Sequence, residues 1–99
     1  MIQLIKNNTQ EMLDEIIKIR RHFHMNPELS NKEVETSRYI EKYLNNLGSF
    51  SIERIGATSL IATIRGPRLG KTIALRCDMD GFALLELESH TYHSVRRLF

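Results

Sequence analysis

The sequence predicts an α/β fold, α+β in the chain as it stands, with two N-terminal helices packed on a small, mainly antiparallel three-stranded sheet. Two observations predict it. In the first half, apolar residues recur at helical spacing, at Met12, Ile16, Ile19 and Phe23 and again at Val34, Ile40, Tyr43, Leu44 and Leu47. From residue 50 the pattern shortens to alternating or continuous apolar runs of strand length, separated by glycine- and proline-bearing turns. With 99 residues, 41% of them hydrophobic, the chain is one small domain or a piece of a larger one, with material for a modest core.

Residues 1–7 read as a loose arm. Asn8 is suited to cap the first helix, with Glu11 three residues on and Asp14 near the positive end of the helix. Leu13 and Ile17 widen its apolar stripe. The helix should stop before Pro27, because the residue ahead of a proline avoids helical geometry. His22 and His24, near that end, read as capping or packing groups, since no H-x-x-x-H pair accompanies them. Ser30-Asn31-Lys32-Glu33 has the S-x-x-E form of a capping box, so a second helix is expected from there to about Leu47, ended by Gly48. Tyr39 and Tyr43 on that helix read as packing residues rather than a stacking platform for bases.

Phe50 and Ile52 mark a short edge-like strand, residues 60–65 a second and residues 72–77 a third. The turn residues 66–70 should join the last two as a hairpin. The third strand runs into Asp78 and Asp80, whose alternate spacing on a strand would send both side chains to one face. Carboxylates at the end of a buried strand suit a metal-dependent or acid/base site. On spacing alone, the start of a polar turn is the better reading of D-x-D.

Several functions are excluded or disfavoured. A net charge of +2 does not argue for nucleic acid, and the basic clusters at Lys18, Arg20 and Arg21 and at Arg96 and Arg97 read as solvated faces. The GPRLGKT stretch at residues 66–72 has three residues between its glycines where a phosphate-binding loop has four, and a strand rather than a helix should follow it. Cys77, the single cysteine, forms no internal disulfide, fits a reducing compartment and is expected to be a buried, inert thiol. The opening MIQLIKNN is too short and too soon polar for a signal peptide, and no apolar run approaches membrane-spanning length, so a cytoplasmic protein without a membrane partner is expected. His90 and His93 have H-x-x-H spacing and read as solvated.

Residues 20–36 contain Arg20-Arg21, His24, Pro27-Glu28-Leu29-Ser30, Glu33 and Thr36. This resembles the R-R-x-x-H-x-x-P-E-L-S-x-x-E-x-x-T signature of metal-dependent amidohydrolases of the aminoacylase and carboxypeptidase superfamily, in the branch of hippurate hydrolase, the auxin-conjugate hydrolases and N-acetyl-diaminopimelate deacetylase. Leu47-Gly48, the segments at residues 61–66 and 70–76, and Asp78-Met79-Asp80 resemble it in the same order. The resemblance implies that residues 1–80 are the N-terminal part of a larger zinc-peptidase-like catalytic domain. It also implies hydrolysis of amide bonds in N-acyl amino acids or small peptides, with zinc or manganese activating water, and a supporting site role for Asp80. The family's metal ligands come later, beginning in an H-A-C-G-H-D-G-H motif that is not in this chain. Cys77 stands where the family has alanine and is not the ligand cysteine, and Gly81-Phe82-Ala83-Leu84 replaces A-L-P-I. The expectation is therefore an enzyme-derived chain with Asp80 as its only site residue and no metal ligand or cofactor of its own. Residues 81–99 are expected to be a divergent, poorly ordered tail, and the chain alone to be inactive. The alternative is a non-catalytic scaffold that pairs with a complementing polypeptide through an open strand edge.

Overall fold

The computed structural model describes residues 1–84 and 91–95. Helix α1 spans Ile2–Met25, helix α2 Val34–Leu47, strand β1 Ser51–Ile55 and strand β2 Ser59–Thr63. The class is the expected one, two helices and a small antiparallel sheet.

Helix α1 differs from expectation at its start: residues 2–7 are helical rather than a loose arm, and Asn8 is interior. Bonds four residues apart support this turn, with the Ile5 N–H donating to the Met1 carbonyl at 3.0 Å and Gln3 Nε2 donating to Asn7 Oδ1 at 3.0 Å. Helix propagation outweighs the capping preference of a single asparagine. The other end falls where proline predicts. Asn26 donates to the His22 carbonyl through both its backbone N–H, at 3.1 Å, and its Nδ2, at 2.9 Å, and so closes the last turn.

Helix α2 begins at Val34, and the capping box does not form. Asn31 takes a left-handed φ of 65°. Glu33 Oε1 accepts the Asn31 N–H at 3.0 Å, not that of Ser30. Glu28, further upstream, caps the helix instead. The helix ends as expected at Gly48, whose φ of 76° is left-handed.

The two strands form a hairpin with register from Ser51↔Thr63 to Ile55↔Ser59. The sheet therefore has two strands, not three, and the partner of Ser59–Thr63 is the preceding strand. Residues 72–77 have no regular secondary structure. The pair that forms is joined by the short turn at residues 56–58, where Gly56 takes a left-handed φ of 65°. Arg54 ties the hairpin to α2. Its Nε and Nη2 reach Glu41 Oε2 at 2.8 and 2.7 Å, and its Nη1 donates to Ser37 Oγ at 3.1 Å and to the Ala57 carbonyl at 3.3 Å.

Among the described residues no apolar side chain is buried; the buried ones are polar, with Ser37 fully enclosed. The helices meet through rings. His22 stacks on Tyr39 with centroids 4.2 Å apart, and Phe23 meets Tyr39 edge-on at 5.2 Å, so His22 and Tyr39 are packing residues as expected. Further along, the Tyr43 hydroxyl donates to Glu15 Oε1 at 2.7 Å. That hydrogen bond, with some desolvation and the negative charge of Glu15, raises the Tyr43 pKa above its ordinary 10.0. A raised folded-state pKa favours the native state at neutral pH, and this contribution is lost as pH climbs through the tyrosine's titration. An ultraviolet alkaline titration is expected to show one tyrosine ionising later than the others, and Tyr43→Phe is expected to remove that late step.

Candidate functional site

A cleft of about 540 Å³ opens where α1 and α2 converge. Arg20, Phe23 and His24 of α1, Pro27 beyond it, and Thr36 and Ile40 of α2 line it together with residues 77–82, Leu84 and Ser94. The two halves of the family signature thus border one cavity that also holds both acids.

Asp78 and Asp80 both line this cleft, although the segment carrying them is not a strand. Asp78 Oδ1 pairs with Arg76 Nη2 at 3.1 Å, and both side chains are largely exposed, so the pair adds little stability. Asp80 is exposed, makes no ion pair or hydrogen bond to another described residue, and its carboxylate is open to a ligand. Cys77 also lines the cleft and is exposed, contrary to the expected buried thiol, because the predicted third strand that would have covered it does not form.

Glu28 joins the parts. Its Oε1 accepts the Thr36 N–H at 2.6 Å and the Thr36 hydroxyl at 2.7 Å, and its Oε2 accepts the Glu35 N–H at 3.3 Å. The carboxylate satisfies free N–H groups of the first turn of α2 at the positive end of the helix. The Glu28 and Thr36 of the signature are therefore hydrogen-bond partners, which gives their eight-residue separation a physical meaning. The Glu28 carbonyl accepts the Gly81 N–H at 2.7 Å, and the Met25 carbonyl accepts the Val95 N–H at 2.9 Å. Arg21 lies 4.4 Å over the Tyr92 ring, which also meets His24 edge-on at 5.7 Å.

The donors present do not fit a divalent-metal shell. No three His, Cys, Asp or Glu groups among the described residues converge on one point. Two carboxylates, one of them already paired with an arginine, fall short of the three or four ligands that a zinc-type ion takes from protein. His90 lies outside the described residues, and His93 Nδ1 sits 3.0 Å from the Ser94 carbonyl.

Sequence reasoning named Asp80 and the signature residues as separate motifs in order, did not foresee that they border one cleft, and missed Glu28 as a cap and Gly81 as a point of close approach. An acid just upstream of a helix start, with threonine one turn in, was the available signal for Glu28. For Gly81 the available signal was its departure from the alanine of the resembled A-L-P-I pattern, which by itself gave no partner.

No family profile matches the chain, and no solved structure matches it. Curated proteins do. The chain is 41% identical over 95% of its length to thermostable carboxypeptidase 2 of Saccharolobus solfataricus, covering 24% of that protein. It is 32% identical over 91% of its length to an N-acyl-L-amino acid amidohydrolase of Geobacillus stearothermophilus, covering 24%. It is 35% identical over 82% of its length to the N-acetyldiaminopimelate deacetylase of Priestia megaterium, covering 22%. Over most of its residues the chain is a homologue of the carboxypeptidases, amidohydrolases and deacetylases of the aminoacylase superfamily. It spans about a quarter of the length of the relatives it matches.

Proposed function

We propose that this chain supplies one part of an amide-bond hydrolase acting on small N-acyl amino acids or peptides, with Asp80 the carboxylate it contributes to the site. The observation that carries this reading is the coincidence of the amide-cleaving activities in the relatives' names with the exposure of Asp80 in the cleft that Arg20, His24, Pro27 and Thr36 border. Hydrolysis of an amide needs a water made nucleophilic and a proton delivered to the leaving amine, and a carboxylate open to the cleft can hold or move such a proton. Zinc or manganese, in a longer polypeptide, would supply Lewis acidity, held by ligands from outside the described residues. The chain alone is expected to be inactive. A cytoplasmic setting agrees with its single exposed thiol.

A chimaera in which this chain replaces the matched quarter of the Saccharolobus carboxypeptidase tests the reading. Metal-dependent hydrolysis of N-acetyl amino acids or peptides is expected from the chimaera, and Asp80→Asn should lower it by about 10²-fold or more. Full activity in the Asp80→Asn chimaera would remove Asp80 from the site.

One observation favours a second reading, a scaffold that pairs with a complementing polypeptide. Leu69, Ile73, Leu75 and Phe82 are between 81% and 105% exposed, more than an isolated domain of this size usually leaves uncovered in one segment. Sedimentation of the chain alone and mixed with the rest of the carboxypeptidase separates the two, since only the second requires a stable complex without covalent linkage.

A further inference from the structure

We propose that Glu28 and Gly81 form a clamp that holds residues 78–80 in the cleft, Glu28 acting as a positioning residue for the Asp80 carboxylate. The proposal rests on the reading of Asp80 as a site residue given above, but its test needs no turnover.

Glu28, only 9% exposed, is fixed at both ends. Its carboxylate is held by Thr36 and Glu35 of α2, and its carbonyl receives the Gly81 N–H at 2.7 Å. The first turn of α2, the Pro27–Glu28 peptide and Gly81 are thus linked in series. Asp80 is the next residue along, so whatever fixes the Gly81 N–H also fixes the Asp80 peptide.

The approach is possible only for glycine. A Cβ at position 81 would lie 2.7 Å from Pro27 Cβ and 3.4 Å from Pro27 Cα, and the nearer of these is well inside the optimal separation of two carbons. The atoms in the way belong to a rigid ring and backbone, so they cannot swing aside as a long side chain would.

The other ties of the segment are weak. The Arg76–Asp78 pair is exposed at both ends, and residues 64–80 have no regular secondary structure. A contact that is the main tie of an otherwise irregular segment determines where its side chains stand.

Cys77, exposed and the only cysteine, takes a nitroxide label three positions from Asp80 in the full chain without any other substitution. In Gly81→Ala the label is expected to become more mobile and amide exchange at residue 81 to rise about tenfold or more, with helical circular dichroism unchanged. Adding Pro27→Gly, which removes the obstructing Cβ, should restore both readouts. Glu28→Gln, which keeps one carboxyl-type oxygen as acceptor, should mobilise the label less than Gly81→Ala. Unchanged mobility and exchange in Gly81→Ala would overturn the clamp, as would failure of Pro27→Gly to restore them. Should Gly81→Ala unfold the chain, exchange in the unsubstituted protein decides: protection of the Gly81 amide supports the clamp, and exchange at the free-peptide rate refutes it. An active Asp80→Asn chimaera would withdraw the hydrolase reading of Asp80 and leave these readouts unaffected.

Discussion

Glu28→Ala is expected to destabilise the chain by about 2–4 kcal/mol, read as a lower urea midpoint with the first turn of α2 frayed. The substitution removes the acceptor of three hydrogen bonds at once. Thr36, itself buried, would keep a backbone N–H and a hydroxyl that have lost their acceptor, and Glu35 would lose the partner of its N–H. An unmet buried donor costs more than a lost contact, because it forgoes its bond to water as well. Negative charge at the positive end of the helix is lost too. With no apolar side chain buried among the described residues, little else offsets the loss. Glu28→Gln, which retains one acceptor oxygen but not the charge, is expected to cost about 1 kcal/mol. A midpoint for Glu28→Ala equal to that of the unsubstituted chain would show that Glu28 does not cap α2.

The second large effect is expected at Arg54. Arg54→Ala should cost about 1–3 kcal/mol and release the hairpin from α2 while leaving both helices in place. One guanidinium bridges Glu41 through two nitrogens, Ser37 Oγ through a third contact and the Ala57 carbonyl in the turn. The Glu41 and Arg54 side chains are each about a third exposed, so solvent screens part of the ion pair. The larger share of the effect comes from Ser37, which is fully buried and loses the arginine as hydrogen-bond partner. Arg54→Lys should not restore stability, because a single ammonium cannot span a carboxylate and a hydroxyl in the fixed geometry of the fork. Exchange of the β1 and β2 amides, compared with that of the α1 amides, checks this. Equal protection of the hairpin in Arg54→Ala would contradict the assignment.

The helices and their ends were legible because each rests on near-neighbour chemistry. Pro27 stops α1, Gly48 stops α2, and the ring pattern that brings Phe23 to Tyr39 follows from helical spacing. The capping box at Ser30 and the third strand were not, for one shared reason: each depends on partners that the local signal does not specify. Glu28 reaches eight residues to Thr36 and displaces the box. A strand at residues 72–77 depends on ladder hydrogen bonds to a neighbouring strand, which local alternation does not supply, and residues 72–77 pair with none. Of the site, the acids and the signature were readable as residue types in order. Their convergence on one cleft was not, since it depends on the Gly81–Glu28 bond, which no spacing announces.

The central claim is that this chain contributes scaffold and the Asp80 carboxylate to an amidohydrolase cleft, while the ligands that would complete a metal shell are not among the residues that form it. Calorimetric titration of the purified chain with zinc tests this most directly. The account predicts no saturable binding of one zinc per chain; one equivalent bound with micromolar or tighter affinity, and weakened by Asp80→Asn, would contradict it.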